Sequence, residues 1–506
     1  MSGVFFDVQG IQTPHHPERG IARYVRELAL AVGRVAPGLV DGFVVDPALP
    51  RPAALDELAG GAPLVPYGDD RVAQASVYHV GSPFELGRAG VALVPLAVRR
   101  NGSRLLATLY DLIPMIFPDE YLPSGIERAL YRRSIELVRA CDHVLAISDA
   151  TANDAQRLLG IPARRTTAIG AGAGPQFRRP DRPAAALIGE LRRSWPTLRE
   201  RFVLLPIGMD PRKNWREALT AFARLPEGLR RTLSVVLACR VDAAQQAIVD
   251  VLASDLGIVD QLVVTGVVTD EELVVLYQAC DVVVFPSRYE GFGLPPLEAL
   301  RCGARVVCGD NSSLREVITD PEARFDADDL DACTAMMVRA TRDDAFRARL
   351  RATTAPDYSW DVAAARTVEV YRALLADTPR RGRRVGVVGP ASDAGWPVDA
   401  RAGVRHGREL FAWPTTDRRH DARLQPVSEL RCHVAAGTVG PIALVDGDTL
   451  GSGQQARAVG DAQGERVSRR DLRGWLAAAD DSLADSSLTA ASSLTAAAPP
   501  PPAGDR

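Results

Sequence analysis

The sequence predicts an α/β protein of two domains, each a parallel sheet with helices on both faces. Three observations carry that expectation. Short apolar runs rich in β-branched residues recur along the first three-quarters of the 506-residue chain. They are too short for helices and apolar throughout, as buried parallel strands are. Helical patterns alternate with these runs, and strand–helix alternation closes as a parallel sheet covered on both sides. A Pro- and Arg-rich stretch at 177–183 interrupts the alternation near its middle, and the chain is long enough for two or three domains. The expected boundaries are 1–180 for the first domain, 181–377 for the second and 378–506 for an extension.

In the first domain, residues 4–8 read as the opening strand. Ile21, Tyr24, Val25, Leu28 and Val32 then recur at helical spacing with Arg on the other face, giving one helix entered through Gly20. His15 and His16 read as exposed loop residues. Runs at 42–45, 76–80, 105–110 and 144–147 read as further strands. His79 ends one of them and reads as a core histidine. The last of these strands ends at Ser148 and runs into a capped helix.

The second domain repeats the pattern, with strands at 202–205, 233–237, 262–268, 282–285 and 305–308. Asp326 and Asp328 precede a helical pattern and read as a cap with a negative first turn, not as a metal pair. A last helix covers about 358–376. Beyond it, RRVGVVGP looks like one more first strand, but no glycine turn and helix follow. The end repeats SSLTAA and finishes in prolines. Such low-complexity composition does not build a packed core, so a poorly ordered tail is expected.

Composition excludes several classes. A net charge of −3 argues against a general nucleic-acid binder. No apolar run approaches membrane-spanning length, and the opening MSGVFFDVQG lacks a signal-peptide layout. Seven scattered cysteines without a CxxC favour reduced cytosolic thiols over a disulfide or zinc framework. Of 60 Lys and Arg residues only one is lysine, Lys213, in the string GMDPRKN after an apolar run. Lysine is a compact point charge on a flexible stem, suited to reaching into a phosphate pocket.

The most informative stretch is DVVVFPSRYEGFGLPPLEAL, 281–300. Val282 to Phe285 is a strand, Glu290 to Gly293 a glycine turn, and Pro295 and Pro296 lie in the first turn of a helix. Unpaired amides at such a helix start form an anion site, and glycine lets a ligand approach the main chain. Glu290 and Glu298 flank the turn. Carboxylates repel phosphate but accept hydrogen bonds from hydroxyls. A ligand with hydroxyl-rich ends and an anionic middle, a nucleotide sugar, fits. The plainer alternative is a solvated loop Glu290 and a Glu298 that stabilises the positive helix end.

EGFGLPPLE resembles the Glu-x7-Glu motif of the retaining glycosyltransferases of family 4, which have the GT-B fold: two Rossmann-like domains facing a cleft. RGIARY, RKN and TLYDLIPMIFP are similar to further strings of that family. The resemblance covers the first three-quarters of the chain and extends to bacterial mannosyltransferases of surface-polysaccharide assembly. It implies a donor site in which Glu290 contacts the sugar, Glu298 the ribose, and the backbone of Gly291, Phe292, Gly293 and Leu294 the sugar and phosphate. It further implies that Arg212 and Lys213 neutralise the diphosphate and that Gly20 approaches it, the plainer reading of Gly20 being a turn glycine.

By the same resemblance Asp111 would orient acceptor or sugar, a buried, hydrogen-bonded Asp at a strand end being the alternative, while Tyr110 stands where the family has a histidine. The implied activity is retaining hexosyl transfer from a nucleotide sugar, GDP-mannose being the donor suggested, without metal or cofactor. The acceptor is a glycan or lipid-linked glycan, and the place the cytoplasm or the inner membrane face, with peripheral membrane association. The extension would be the remnant of a second transferase module. The alternatives are a 2-epimerase of the same fold and a non-catalytic scaffold for a partner transferase.

Overall fold

The computed structural model describes residues 3–13, 20–84 and 93–377, together with four short strands between 385 and 445. His15, His16, Cys432 and the suggested module remnant otherwise lie outside the described residues.

Thirteen strands form two sheets. The first contains β1 (Val4–Asp7), β2 (Val40–Val45), β3 (Leu64–Pro66), β4 (Val77–Val80), β5 (Arg104–Leu109), β6 (His143–Ala146) and β7 (Thr166–Ala168), in the order β3-β2-β1-β4-β5-β6-β7. The second contains β8 (Arg201–Leu205), β9 (Leu233–Leu237), β10 (Leu262–Val264), β11 (Val282–Phe285), β12 (Val306–Gly309) and β13 (Arg324–Phe325), in the order β10-β9-β8-β11-β12-β13. Every neighbouring pair in both sheets is parallel. Strands β1, β4, β9 and β11 are buried along their whole length, as helices on both faces require. In each sheet the strand order reverses beside the first strand, between β1 and β4 and between β8 and β11. Ligands bind open sheets of this kind at that reversal, outside the carboxyl ends of the strands.

Five helices position the site: α1 (Ile21–Val35), α2 (Asp149–Leu159), α3 (Asp270–Ala279), α4 (Leu294–Arg301) and α5 (Trp360–Ala376). The apolar stripe of α1, with Tyr24, Val25, Leu28 and Val32, is buried. The last helix, α5, packs on α1. The ring of Trp360 meets Tyr24 edge-on at 4.9 Å, Arg34 pairs with Asp361 at 2.8 Å, and Asp377 pairs with Arg104 at 2.6 Å. Helix α5 follows the second sheet in sequence but lies against the first in space.

His79 shows what that return achieves. It stacks on Phe6 at 4.1 Å; one ring nitrogen lies 2.6 Å from the Tyr371 hydroxyl on α5, the other 2.8 Å from Thr108. It is a core histidine, and burial brings its pKa down to about 3.

Some elements differ from expectation. Strand β10 ends at Val264, not 268, because Gly266 takes φ +70° and turns the chain. The edge strands β3, β7 and β13, two or three residues each, are too short to leave an alternation signal. The cap of the helix after β13 is Asp329, whose carboxylate accepts from Asp331 and Ala332; Asp326 instead closes a local turn on Asp328.

Candidate functional site

The site grows out of the reversal between β8 and β11. After β8 the chain runs to Asp210, whose carboxylate accepts the Arg212 amide at 3.0 Å and caps a single turn, Pro211–Lys213. After β11 it runs through Ser287, Arg288 and Tyr289 to Glu290. The two loops are tied together. The Arg288 amide donates to the Arg212 carbonyl at 2.8 Å, and the Arg212 guanidinium donates to the Tyr289 carbonyl at 2.6 Å. Two serines after β12 fix Glu290: its amide donates to Ser312 Oγ, and Ser313 Oγ donates to its carbonyl, each at 2.9 Å.

This scaffold aims two cations at one carboxylate oxygen. Lys213 Nζ lies 2.6 Å and Arg212 Nη1 2.9 Å from Glu290 Oε1. All three side chains are largely buried, and Lys213 also lies 5.1 Å from the centre of the Phe285 ring. Burial pushes the Glu290 carboxyl up, but Arg212 and Lys213 outweigh it and bring it down to about 2. For Lys213 burial wins over Glu290, and its pKa falls below the usual lysine value. Arg212 loses to burial but gains more from Glu290, Asp210 and Asp111, and is held firmly as a cation.

The glycine turn follows. Gly293 caps α4 in a left-handed conformation, φ +99°, and Leu294 is the helix's first residue. Among the described residues no protein acceptor faces the amides of Gly291, Phe292 and Gly293. The Phe292 side chain is buried and meets Tyr358 edge-on at 5.0 Å, so only its backbone faces the turn.

Gly291 has a reason the sequence did not disclose. A Cβ there would lie 2.3 Å from the Tyr110 carbonyl and 3.2 Å from Asp111 Cβ. The first domain closes onto this turn, and only glycine leaves room for it. Thr151 in α2 seals the contact, its hydroxyl 3.1 Å from the Tyr110 carbonyl and 3.2 Å from the Gly291 carbonyl.

Further contacts join the carboxyl ends of the two sheets. Tyr289 donates to Asp154 at 2.5 Å, Tyr121 donates to Asp210, and the Glu316 carboxylate accepts the first two amides of α2 at 3.0 and 2.7 Å. Asp111 thus sits against the turn. Burial raises its carboxyl, opposed by the Ile113 amide at 3.0 Å and by Arg212 and Lys213. Tyr110 turns its hydroxyl back into its own domain, donating to the Gly81 carbonyl at 2.7 Å.

Glu298 lies in the second turn of α4, 4% exposed. It is not a free helix-dipole carboxylate. Arg23 on α1 reaches across from the first domain to within 3.3 Å, and the Tyr277 hydroxyl lies 3.5 Å away. Gly20 is exposed at the start of α1, three residues from Arg23, with a positive φ of +62°, and a Cβ there would meet no described atom beyond its chain neighbours within 4 Å. Arg23, Thr151, Tyr289, Asp154 and Glu316 were not singled out in the sequence. The one available signal was that Arg23 lies inside RGIARY.

Residues 19–176 match the family described as Glycosyltransferase Family 4, and residues 190–354 match Glycosyl transferases group 1. The chain is 30% identical over 341 residues to the serotype-specific mannosyltransferase WbdA of Escherichia coli, covering 63% of this chain and 40% of that protein. It thus spans well under half the length of that relative. It is also 30% identical to the O-antigen chain mannosyltransferase B of Escherichia coli, over 54% of this chain and 71% of that one. Among solved structures, sucrose-phosphate synthase from Thermosynechococcus elongatus superposes with a TM-score of 0.56 at 19% identity, covering 75% of this chain and all of that one. Anabaena HepE, in complex with UDP and glucose, superposes at 0.52 and 15% identity, covering 74% of this chain and all of that one. At those identities the likeness speaks to fold alone. The chain is a member of glycosyltransferase family 4 and has the GT-B fold.

Proposed function

We propose that the protein transfers a hexose, mannose by its similarity to the two mannosyltransferases, from a nucleotide sugar to a glycan or lipid-linked glycan of a surface polysaccharide, with retention of configuration. The observation that carries this reading is the convergence of Arg212 and Lys213 on Glu290 at the strand-order reversal of the second sheet, with Asp111 of the first domain against the same turn. A diphosphate entering here competes with the Glu290 carboxylate for the two cations and meets the open amides of the glycine turn. Displaced from its cations, Glu290 accepts hydroxyls of the donor sugar and balances positive charge at the anomeric carbon.

Arg212, Lys213 and the turn amides stabilise the departing diphosphate, and this reading assigns no metal to that task. The acceptor hydroxyl attacks on the face the diphosphate leaves: the bond from anomeric carbon to phosphate oxygen breaks, the new glycosidic bond forms, and a diphosphate oxygen takes the hydroxyl proton. Asp111 orients the acceptor, and Glu298 holds the ribose. A lipid-linked acceptor would place the protein at the inner face of the cell membrane; no helix among the described residues is long and apolar enough to cross one.

The test is a screen of purified protein against GDP-mannose, UDP-glucose, UDP-galactose and ADP-glucose, following released nucleoside diphosphate and the anomer of the freed sugar. Slow release from GDP-mannose, with the sugar appearing first in the donor's own configuration, is expected. Release of an inverted sugar contradicts the retaining course. Conversion of the donor to its 2-epimer, with no net release of sugar, favours the epimerase.

A further inference from the structure

We infer that Arg23 is a positioning residue for the donor nucleotide: it is the first domain's hold on Glu298, and through Glu298 on the ribose diol. The inference rests on the reading of Glu298 as the ribose acceptor and extends it to a residue on the opposite domain.

The arginines of α1 separate into two kinds. Arg26 pairs with Glu57 at 3.0 Å and Arg34 with Asp361 at 2.8 Å, all four side chains substantially exposed. Such pairs contribute little and tolerate replacement. Arg23 is only 14% exposed, and its guanidinium lies 5.4 Å from the centre of the Phe177 ring. One arm reaches Glu298 Oε1 at 3.3 Å, the other Asp270 at 3.6 Å. Asp270 is held in turn by the Gln176 amide at 2.8 Å. Both carboxylates belong to the second domain, in α3 and α4, while Arg23 belongs to the first.

A buried carboxylate is costly in its charged form unless a cation or donors face it. Glu298 is the more deeply buried of the two, at 5% side-chain exposure against 43% for Asp270. A carboxylate accepts hydrogen bonds at both oxygens, so one carboxylate can serve a guanidinium and a diol together. The flat guanidinium fixes the carboxylate plane, which an ammonium does not. Among the described residues the polar partners of Arg23 are Glu298 and Asp270, not Arg212, Lys213 or Glu290, so its loss should act on nucleotide affinity and spare the reacting centre. Because Arg23 and Glu298 sit on different domains, a well-oriented ribose site exists only while the domains touch. Nucleotide binding is thereby tied to closure over the acceptor side.

The test is calorimetric titration of GDP, UDP and their 2′-deoxy analogues into the full chain and into Arg23→Gln, Arg23→Lys, Glu298→Gln and the Arg23→Gln/Glu298→Gln pair, with Arg26→Gln as control. Melting temperatures are recorded for all. The better-bound nucleotide is expected to bind roughly tenfold or more weakly to Arg23→Gln, the loss of a hydrogen bond to a charged group. Its advantage over the 2′-deoxy analogue should collapse, Arg23→Lys should recover part of the loss, and the pair should lose little more than either single variant. Arg26→Gln should bind as wild type.

Binding within twofold of wild type in Arg23→Gln, or full additivity in the pair, overturns the role of Arg23. If Glu298→Gln weakens binding while Arg23→Gln does not, the inference falls and the ribose reading stands. If Glu298→Gln also binds normally, or wild type binds neither nucleotide, the ribose reading falls first. Should Arg23→Gln not fold, the 2′-deoxy discrimination of Arg23→Lys decides.

Discussion

Two buried polar clusters in this molecule are built to opposite ends. Around His79 in the first domain every ring nitrogen has a partner, Tyr371 on one side and Thr108 on the other, and burial keeps the imidazole neutral. Nothing is left to bind. Around Glu290 in the second domain, two cations are taken out of water to share one oxygen, Lys213 holds its proton less tightly than in solution, and the neighbouring glycine-turn amides face no protein acceptor among the described residues. A buried ion cluster is weak in stabilising a fold, because desolvation offsets much of the attraction. A satisfied neutral cluster rigidifies one. Under the proposed function the difference separates a structural polar site from one whose groups are held for a ligand.

The sharpest way to break that contrast is Lys213→Ala. It should lower kcat/KM for the donor by the equivalent of about 2–5 kcal/mol, the cost of leaving a buried phosphate charge unpaired. Lys213→Arg should restore only part, since the planar fork does not replace a point charge in a narrow pocket. Initial rates over a range of donor concentrations check both.

A smaller effect should separate the two glutamates. Glu290→Gln should act mainly on kcat and Glu298→Gln mainly on donor KM, each by about 1.5–3 kcal/mol, because only interactions that strengthen in the transition state change the chemical step. The opposite split would exchange the sugar and nucleotide ends of the site.

The structural cluster should respond to acid rather than to donor. His79 has a folded pKa of about 3, below its unfolded value of 6.5. The unfolded chain therefore takes the proton first, and the contribution of His79 is whole above pH 6.5 and is lost as pH falls towards 3. Between pH 6.5 and 4.5 that loss is about 2 kcal/mol. His79→Phe should be less stable at pH 7 by about 2–4 kcal/mol, because Tyr371 and Thr108 lose their partner. Its stability should fall less steeply with acid, and donor kinetics should stay near wild type. Urea titrations at several pH values would show whether the two stability curves converge below pH 6.5.

These outcomes bear on how much of the protein was legible beforehand. The sheets were, because β-branched runs such as 282–285 carry their own signal, and both chain segments alternate regularly. Arg212, Lys213 and Glu290 were also brought to one place, as their positions just beyond β8 and β11 suggested. What stayed hidden depends on the fit between domains. Gly291 reads as room for a ligand, yet the Tyr110 carbonyl occupies the space a Cβ would need. Periodicity put Arg23 on the polar face of α1, and solvent was the default beyond it. In the folded protein Arg23 instead meets Asp270 on α3 and Glu298 on α4. Tyr289 and Asp154, 135 positions apart, carry no local mark of their contact.

Under the proposed function, Arg212 and Lys213 are held by Glu290 until a donor diphosphate takes them over. Titration of GDP and UDP against GMP and UMP, into wild type and Lys213→Ala, tests it most directly. Wild type should prefer one diphosphate over its monophosphate by about tenfold or more, as a charge-assisted contact requires. Lys213→Ala should lose most of that preference without a drop in melting temperature. The same preference in both proteins, or none in wild type, would contradict the claim.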